Sequence, residues 1–332
     1  MEKFVIEGGV PLRGEVTPSG NKNAALPLLA ACILTDEPVV LRNIPRIQDV
    51  LIMKQLIESL GAQVDELDEK TWRITAREIR PASLDPDLCR RIRASILVAG
   101  PIAARVGALK LPPPGGDVIG RRRLDTHILS LRALGVDVEY DRGFTFQTAG
   151  LRGASILMDE ASVTATENAI MAAVRAKGKT VIHNAASEPH VQELCYFLNA
   201  LGANIEEIGS NTLHINGVEH LRGGEFTIGP DYLEVLSFVG AAAVTRGSIR
   251  VKNAGVKNLK MIAHVFERMG VRWEVEGDDL IVPENQELKV TPDLDGAIPE
   301  IKTNVWPAFP TDLISIAITV ATQATGSIMF HD

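Results

Sequence analysis

The chain has 332 residues, 45% hydrophobic and 23% charged, the balance of an ordinary globular protein with material for about two domains. Its 34 basic and 42 acidic side chains leave a net charge of −8, which argues against generic binding to nucleic acid or to an anionic membrane but leaves room for a local basic site. No apolar run is long enough to span a bilayer, and the segment after Met1 lacks a signal-peptide core. Cys32, Cys89 and Cys195 are odd in number and without metal-type spacing, so a reducing cytoplasm is expected, with no metal site and no cofactor.

The predicted elements repeat in chain order. The first unit has an apolar helix from Asn23, a strand over Val39–Asn43 and a second helix ending at Leu60-Gly61-Ala62. The second has an apolar helix from Arg93, a strand over Ala108–Pro112 and a helix ending at Leu134-Gly135-Val136. A third runs through Thr166–Val174 and Thr180–Asn184 to Leu201-Gly202-Ala203, and a fourth through Leu233–Ala243 and Ile249–Asn253 to Met269-Gly270-Val271. The anchor glycines at 61, 135, 202 and 270 recur at intervals of about 70 residues, a period that marks stacked supersecondary units. Each first helix is apolar nearly all round and is expected inside; each second helix carries one apolar stripe and is expected partly exposed. Glycine after the second helix suits a left-handed C′ position. A fifth unit starts at Pro310 and reaches Gly326-Ser327-Ile328-Met329-Phe330. Its anchor glycine is expected at about 338, so we expect the chain to lack a C-terminal part of the natural fold.

One unit departs from the pattern. Between strand end and anchor glycine, the second unit is about five residues longer than its sisters, and loops added to a rigid scaffold commonly carry function. The excess lies in Leu111–Ile128, where Gly115, Gly116 and Gly120 surround Asp117 and the run Arg121-Arg122-Arg123 precedes Asp125. Asp117 suits a general acid or base, or a plain turn former. The arginines suit phosphate through their guanidinium forks, or a solvated charge run, with room for one or two at a single ligand. Lys22-Asn23, after the Gly20 turn, reads either as an anion site at a helix N-terminus or as an exposed lysine beside an asparagine cap. Asp312 sits at a helix start, where capping competes with catalysis. His127 reads as structural, and Cys195 and Met171 as core.

Six stretches give the chain a resemblance to a known family. They are Ser19-Gly20-Asn21-Lys22-Asn23, Arg93-Ala94-Ser95-Ile96, Pro114-Gly115-Gly116-Asp117 through Arg122, Asp125-Thr126-His127, Ser162-Val163-Thr164, and Pro307 through Asp312. Together they resemble the enolpyruvyl transferases, most closely the branch acting on a nucleotide sugar. The resemblance implies an α/β (α+β) fold: a two-lobed inside-out α/β barrel of repeated units with buried helices, its second lobe incomplete. One lobe would take residues 22–229, the other 1–21 with 230–332, with substrates in the cleft between. It implies transfer of the enolpyruvyl group from phosphoenolpyruvate to the 3-hydroxyl of UDP-N-acetylglucosamine, the first committed step of peptidoglycan precursor synthesis, serving cell-wall biogenesis, cell shape and division. No nucleic acid, membrane insertion or protein partner is implied.

Carried over by position, Lys22 and Arg122 would hold phosphoenolpyruvate, and Asn23 would support the tetrahedral intermediate. Arg93, Arg122, Arg123, Leu124, Asp125, Thr126, Ser162 and Val163 would contact the nucleotide sugar. Asp312 would take the proton from its 3-hydroxyl. Asp117 stands where most of the family has a cysteine proton donor, and a carboxyl serves there if a nearby dianionic phosphate keeps it protonated; without a thiolate, insensitivity to fosfomycin follows. Thr164 replaces the family's usual glycine. Arginines of the family's last unit, which complete the phosphoenolpyruvate site, are not in this sequence, and losing such partners commonly costs on the order of 10² to 10³ in rate, so we expect impaired activity. Two rivals stay open: a 5-enolpyruvylshikimate-3-phosphate synthase-like transferase, and a non-catalytic relative or fragment that binds a nucleotide sugar.

Overall fold

The computed structural model describes residues 3–80, 84–116 and 123–332. In chain order, β1 (Arg13–Val16) precedes α1 (Lys22–Ala31), β2 (Val39–Arg42), α2 (Gln48–Ser59), β3 (Gln63–Asp68) and β4 (Thr71–Thr75). Next come α3 (Pro86–Arg91), a 3-10 segment over Arg93–Val98, α4 (Ala99–Arg105), β5 (Ala108–Leu111), α5 (Asp125–Ala133), β6 (Asp137–Tyr140) and β7 (Phe144–Gln147). The third repeat supplies β8 (Ser155–Leu157), α6 (Val163–Ala173), β9 (Lys179–His183), α7 (Pro189–Ala200), β10 (Asn204–Glu206), β11 (Thr212–Asn216) and β12 (Gly224–Thr227). The remainder is α8 (Tyr232–Val244), β13 (Ser248–Val251), α9 (Lys260–Glu267), β14 (Glu274–Glu276), β15 (Asp279–Val282), β16 (Glu300–Lys302), α10 (Ile314–Ala321) and β17 (Met329–His331).

The chain divides into two compact bodies, Gly20–Gly229 and the residues up to Ser19 with Pro230–Asp332. Each has its own apolar core. In the larger body the first helix of every repeat lies inside. Ala24–Ala31 of α1 and Ala165–Ala173 of α6 are buried throughout, and α1 packs on α2, α7 and the 3-10 segment while α4 packs on α6. Leu28, Leu29, Met53, Phe146 and Phe197 are fully buried there, each leucine worth about 1.5–3 kcal/mol relative to exposure. The strands lie outside in three separate sheets, ordered β12-β2-β4-β3, β5-β7-β6 and β10-β11-β9-β8. The parallel pairing of β12 with β2 ties the end of the third repeat to the first. In the smaller body, β1-β13-β15-β14 form one sheet and β16-β17 another; α8 and α10 pack together, with Val235, Leu236, Phe266 and Leu313 in the core.

The anchor glycines behave as the repeat requires. Gly61, Gly135, Gly202 and Gly270 have φ of 102°, 94°, 99° and 85°, conformations in which a Cβ is strained. The residues expected to end the first strands do something more specific: Asn43, Asn184 and Asn253 have left the strand and are left-handed, with φ of 59°, 57° and 49°. Asparagine tolerates that turn. In the second repeat the matching residue is Pro112, whose ring fixes φ near −65°, and Pro112–Gly116 carry no regular secondary structure. The chemistry of one residue thus separates the long loop from its sisters.

Two expectations needed correction. The helix expected from Arg93 onward is a 3-10 segment followed by α4, because Pro101 has no N–H and the Gly100 N–H is given to the side chain of Asn168 at 2.8 Å. The helix from Thr166 is not apolar all round either, since Thr166, Glu167 and Asn168 are all buried in α6. Gly100 belongs to the same contact: a Cβ there would lie 2.5 Å from the Asn168 carbonyl oxygen.

Candidate functional site

Helix α1 begins at Lys22, and its cap is Asn21 rather than Asn23. The Asn21 side chain accepts from the backbone N–H of Asn23 at 2.8 Å and of Ala24 at 3.3 Å. Two donors that would form an N-terminal anion site are therefore already occupied, and anion binding falls to the side chains. Lys22 Nζ lies 3.1 Å from Asp49 Oδ2 in the first turn of α2, with both side chains about two-fifths exposed. Such a pair contributes under about 1 kcal/mol, so a dianionic phosphate competes easily for the ammonium. Pro27, one turn after Asn23, has no N–H to give the Asn23 carbonyl.

A second group gathers where three elements begin. Arg93 opens the 3-10 segment, and its Nη2 donates to the Arg123 carbonyl at 3.0 Å. Arg123 Nε lies 3.1 Å from Asp125 Oδ2, and its Nη2 lies 3.1 Å from Asp159 Oδ2. Thr126, buried, donates its hydroxyl to Asp159 Oδ1 at 2.7 Å. The Thr126 bond and then Arg123 hold the Asp159 carboxyl below its usual range, and Asp125 raises the Arg123 guanidinium. Leu124 and Ser162 stand at the cap positions of α5 and α6 without a side-chain cap bond, Val163 opens α6, and α5 and α6 pack side by side. Two helix N-termini, whose partial positive charge favours anions, thus stand beside Arg93 and Arg123.

His127 is a buried structural residue, as its sequence context implied. Its Nδ1 lies 3.0 Å from Asn168 Nδ2 and its Nε2 3.1 Å from Thr164 Oγ1. Burial and then the Arg93 charge push its pKa down to about 3. In the smaller body, Asp312 lies in a short 3-10 turn, Thr311–Leu313, whose cap is Pro310 and whose first residues receive no side-chain cap bond. The expected capping role is absent, and the exposed Asp312 carboxylate has no partner among the described residues. Asp117, Arg121 and Arg122 lie outside the described residues; Gly115 and Gly116 just before them are tied by backbone N–H bonds to the carbonyls of Cys89 and Arg90. All three cysteines are free and buried, and burial raises Cys89 to about 11 and Cys195 to about 12.

The structure adds residues that the sequence reading passed over. Asp49 holds Lys22, Asp159 holds Arg123 and Thr126, and Asn168 holds His127. Asp159 had a visible signal, the carboxylate pair Asp159-Glu160 just upstream of Ser162. Asn168 had another, a run of polar residues inside an otherwise apolar helix.

The architecture is shared with solved structures. The enolpyruvyl transferase NikO from Streptomyces tendae superposes with a TM-score of 0.81 at 23% identity, covering 97% of this chain and 75% of that one. EPSP synthase from Acinetobacter baumannii follows at 0.73 and 16%, covering 97% and 74%. The fold is therefore the inside-out α/β fold of the enolpyruvyl transferases. A family model described as EPSP synthase (3-phosphoshikimate 1-carboxyvinyltransferase) matches residues 6–331. The UDP-N-acetylglucosamine 1-carboxyvinyltransferase of Treponema denticola is 50% identical over 332 residues, all of this chain and 78% of its own. That of Bradyrhizobium diazoefficiens is 53% identical over 330 residues, 99% of this chain and 77% of its own. The chain belongs to the enolpyruvyl transferase family, among relatives named UDP-N-acetylglucosamine 1-carboxyvinyltransferase.

Proposed function

We propose that the chain transfers the enolpyruvyl group of phosphoenolpyruvate to the 3-hydroxyl of UDP-N-acetylglucosamine. The observation that carries this is the end-to-end identity of about half the residues with relatives of that name; the anion-favouring cluster of Arg93, Arg123, Asp125 and Thr126 beside the start of α6 supports it. The nucleotide sugar takes Arg93, Arg122 to Thr126, Ser162 and Val163. Lys22 leaves Asp49 for the phosphoenolpyruvate phosphate, with Arg122 as second cation and Asn23 at the tetrahedral centre. Asp312, an exposed carboxylate without a partner among the described residues, removes the 3-hydroxyl proton, and the sugar oxygen bonds to C2 while Asp117 delivers a proton to C3. The ketal then loses a C3 proton and phosphate leaves, regenerating the double bond. No metal or redox partner enters the electron count.

In the cell this places the protein in the cytoplasm, at the entry to peptidoglycan precursor synthesis, and so upstream of cell shape and division. No described helix is long and apolar enough to cross a membrane. The test is phosphate release from phosphoenolpyruvate with two acceptors in parallel. Release with UDP-N-acetylglucosamine and none with shikimate 3-phosphate is expected. Release with the shikimate ester alone would assign the chain to the sister reaction, and binding of the nucleotide sugar without turnover would leave only a binding protein.

A further inference from the structure

A closed chain of hydrogen bonds runs beneath the nucleotide-sugar residues. Asn168 Oδ1 accepts the Gly100 N–H at 2.8 Å, which fixes the orientation of the amide because a backbone N–H only donates. Its Nδ2 therefore faces the Ile96 carbonyl at 2.8 Å and His127 Nδ1 at 3.0 Å. An amide nitrogen offers no lone pair, so Nδ1 must accept, and the neutral imidazole carries its proton on Nε2. That proton points to Thr164 Oγ1 at 3.1 Å. Asn168, His127 and Gly100 are all buried, and the Arg93 charge acts with burial to keep the ring neutral.

Each link of this chain sits next to a proposed contact to the sugar nucleotide. Ile96 lies one turn after Arg93 in the 3-10 segment, His127 follows Asp125 and Thr126 in the first turn of α5, and Thr164 follows Ser162 and Val163 at the start of α6. The three elements begin at different places in the sequence, and their mutual register decides whether their first residues face one ligand. A residue without a side-chain hydroxyl at 164 would leave Nε2–H without this acceptor.

We propose that Asn168, His127 and Thr164 are positioning residues that lock the starts of the 3-10 segment, α5 and α6 into the register that binds the nucleotide sugar, with Thr164 closing the lock. This rests on the proposed reaction. The ring acts as a fixed donor and acceptor and never exchanges a proton during turnover.

The sharpest perturbation is Thr164→Val, which keeps the side-chain shape and removes only the hydroxyl. Calorimetric titration with UDP-N-acetylglucosamine should show Kd weakened about five- to tenfold, the size of one lost hydrogen bond. Thr164→Ser should restore it, while KM for phosphoenolpyruvate stays within about twofold. In the ¹⁵N spectrum of the parent, His127 should show the pyrrole-type shift at Nε2, and that signal should move in Thr164→Val. Unchanged Kd in Thr164→Val would overturn the proposal, and so would a weakening that Thr164→Ser fails to rescue or an Nδ1-protonated ring in the parent. If the parent itself fails to bind UDP-N-acetylglucosamine, the proposed reaction falls, and the positioning role falls with it. Parent binding with an indifferent Thr164→Val removes the positioning role alone.

Discussion

Asn168→Ala should cost the larger body about 4 kcal/mol. The substitution removes an amide that satisfies three buried groups, but they are not equally exposed to the loss. The Ile96 carbonyl also accepts from the Ala99 N–H, so it keeps a partner. The Gly100 N–H and His127 Nδ1 do not, and each orphaned buried group costs about 1–3 kcal/mol. Against the roughly 5–15 kcal/mol that holds a typical domain, this is a large fraction. Urea unfolding followed by far-UV circular dichroism measures it as a fall in midpoint with unchanged slope. Asn168→Asp sharpens the test: its carboxylate still accepts from Gly100 but presents oxygen to both the Ile96 carbonyl and His127 Nδ1. It should be as damaging as alanine at pH 8 and should recover relative to the parent as pH falls and His127 protonates to pair with it. A loss below about 1 kcal/mol for Asn168→Ala would refute the reasoning, since it would mean that water replaces the network at no cost.

Three further outcomes follow from buried or substituted groups. His190 is buried with its pKa pushed down to about 4 from 6.5, so its share of stability is full above pH 6.5 and drains as pH falls toward 4; between pH 7 and 5 the parent should lose about 2 kcal/mol that His190→Gln does not lose, and equal losses in the two proteins would refute this. Glu167 is shifted the other way, raised by burial and then by Glu188, so the parent should weaken relative to Glu167→Gln as pH rises above 4.5, by up to about 1.4 kcal/mol per unit; a gap that stays constant from pH 5 to 8 would show an ionised carboxylate instead. Because the only thiols are buried and raised and the loop offers Asp117, preincubation with fosfomycin should leave phosphate release unchanged, whereas covalent mass addition at Asp117 would contradict that.

Much of the fold is legible because its determinants are local and periodic. Glycines 61, 135, 202 and 270 announce left-handed helix ends by their residue type alone, and all four adopt them. The asparagines at 43, 184 and 253 were equally visible, but only the structure shows that they turn the chain rather than end the strands, and hence why Pro112 sends the second repeat along a different path. The site divides in the same way. Lys22, Arg93, Arg123 and Asp125 could be named from sequence, while two pairings could not: Asp49 is 27 residues from Lys22 and Asp159 is 36 from Arg123, separations that no helical or strand period encodes.

Asn168 is the clearest case of what a linear reading misses. A polar residue in a buried helix has a cost that the sequence displays, but the groups that offset it, the Gly100 N–H and the Ile96 carbonyl, belong to the preceding repeat, 68 and 72 residues away. Their availability depends on the 3-10 bonding there, in which the Ala99 N–H and not the Gly100 N–H meets the Ile96 carbonyl, so that the Gly100 N–H is left for Asn168. The irregular helix of the second repeat and the polar face of the third are therefore one feature: the first frees backbone groups, and the second uses them. The residues proposed to hold the nucleotide sugar begin where these two repeats meet, so a 3-10 segment and a short helix rather than one regular helix stand beside that part of the proposed site.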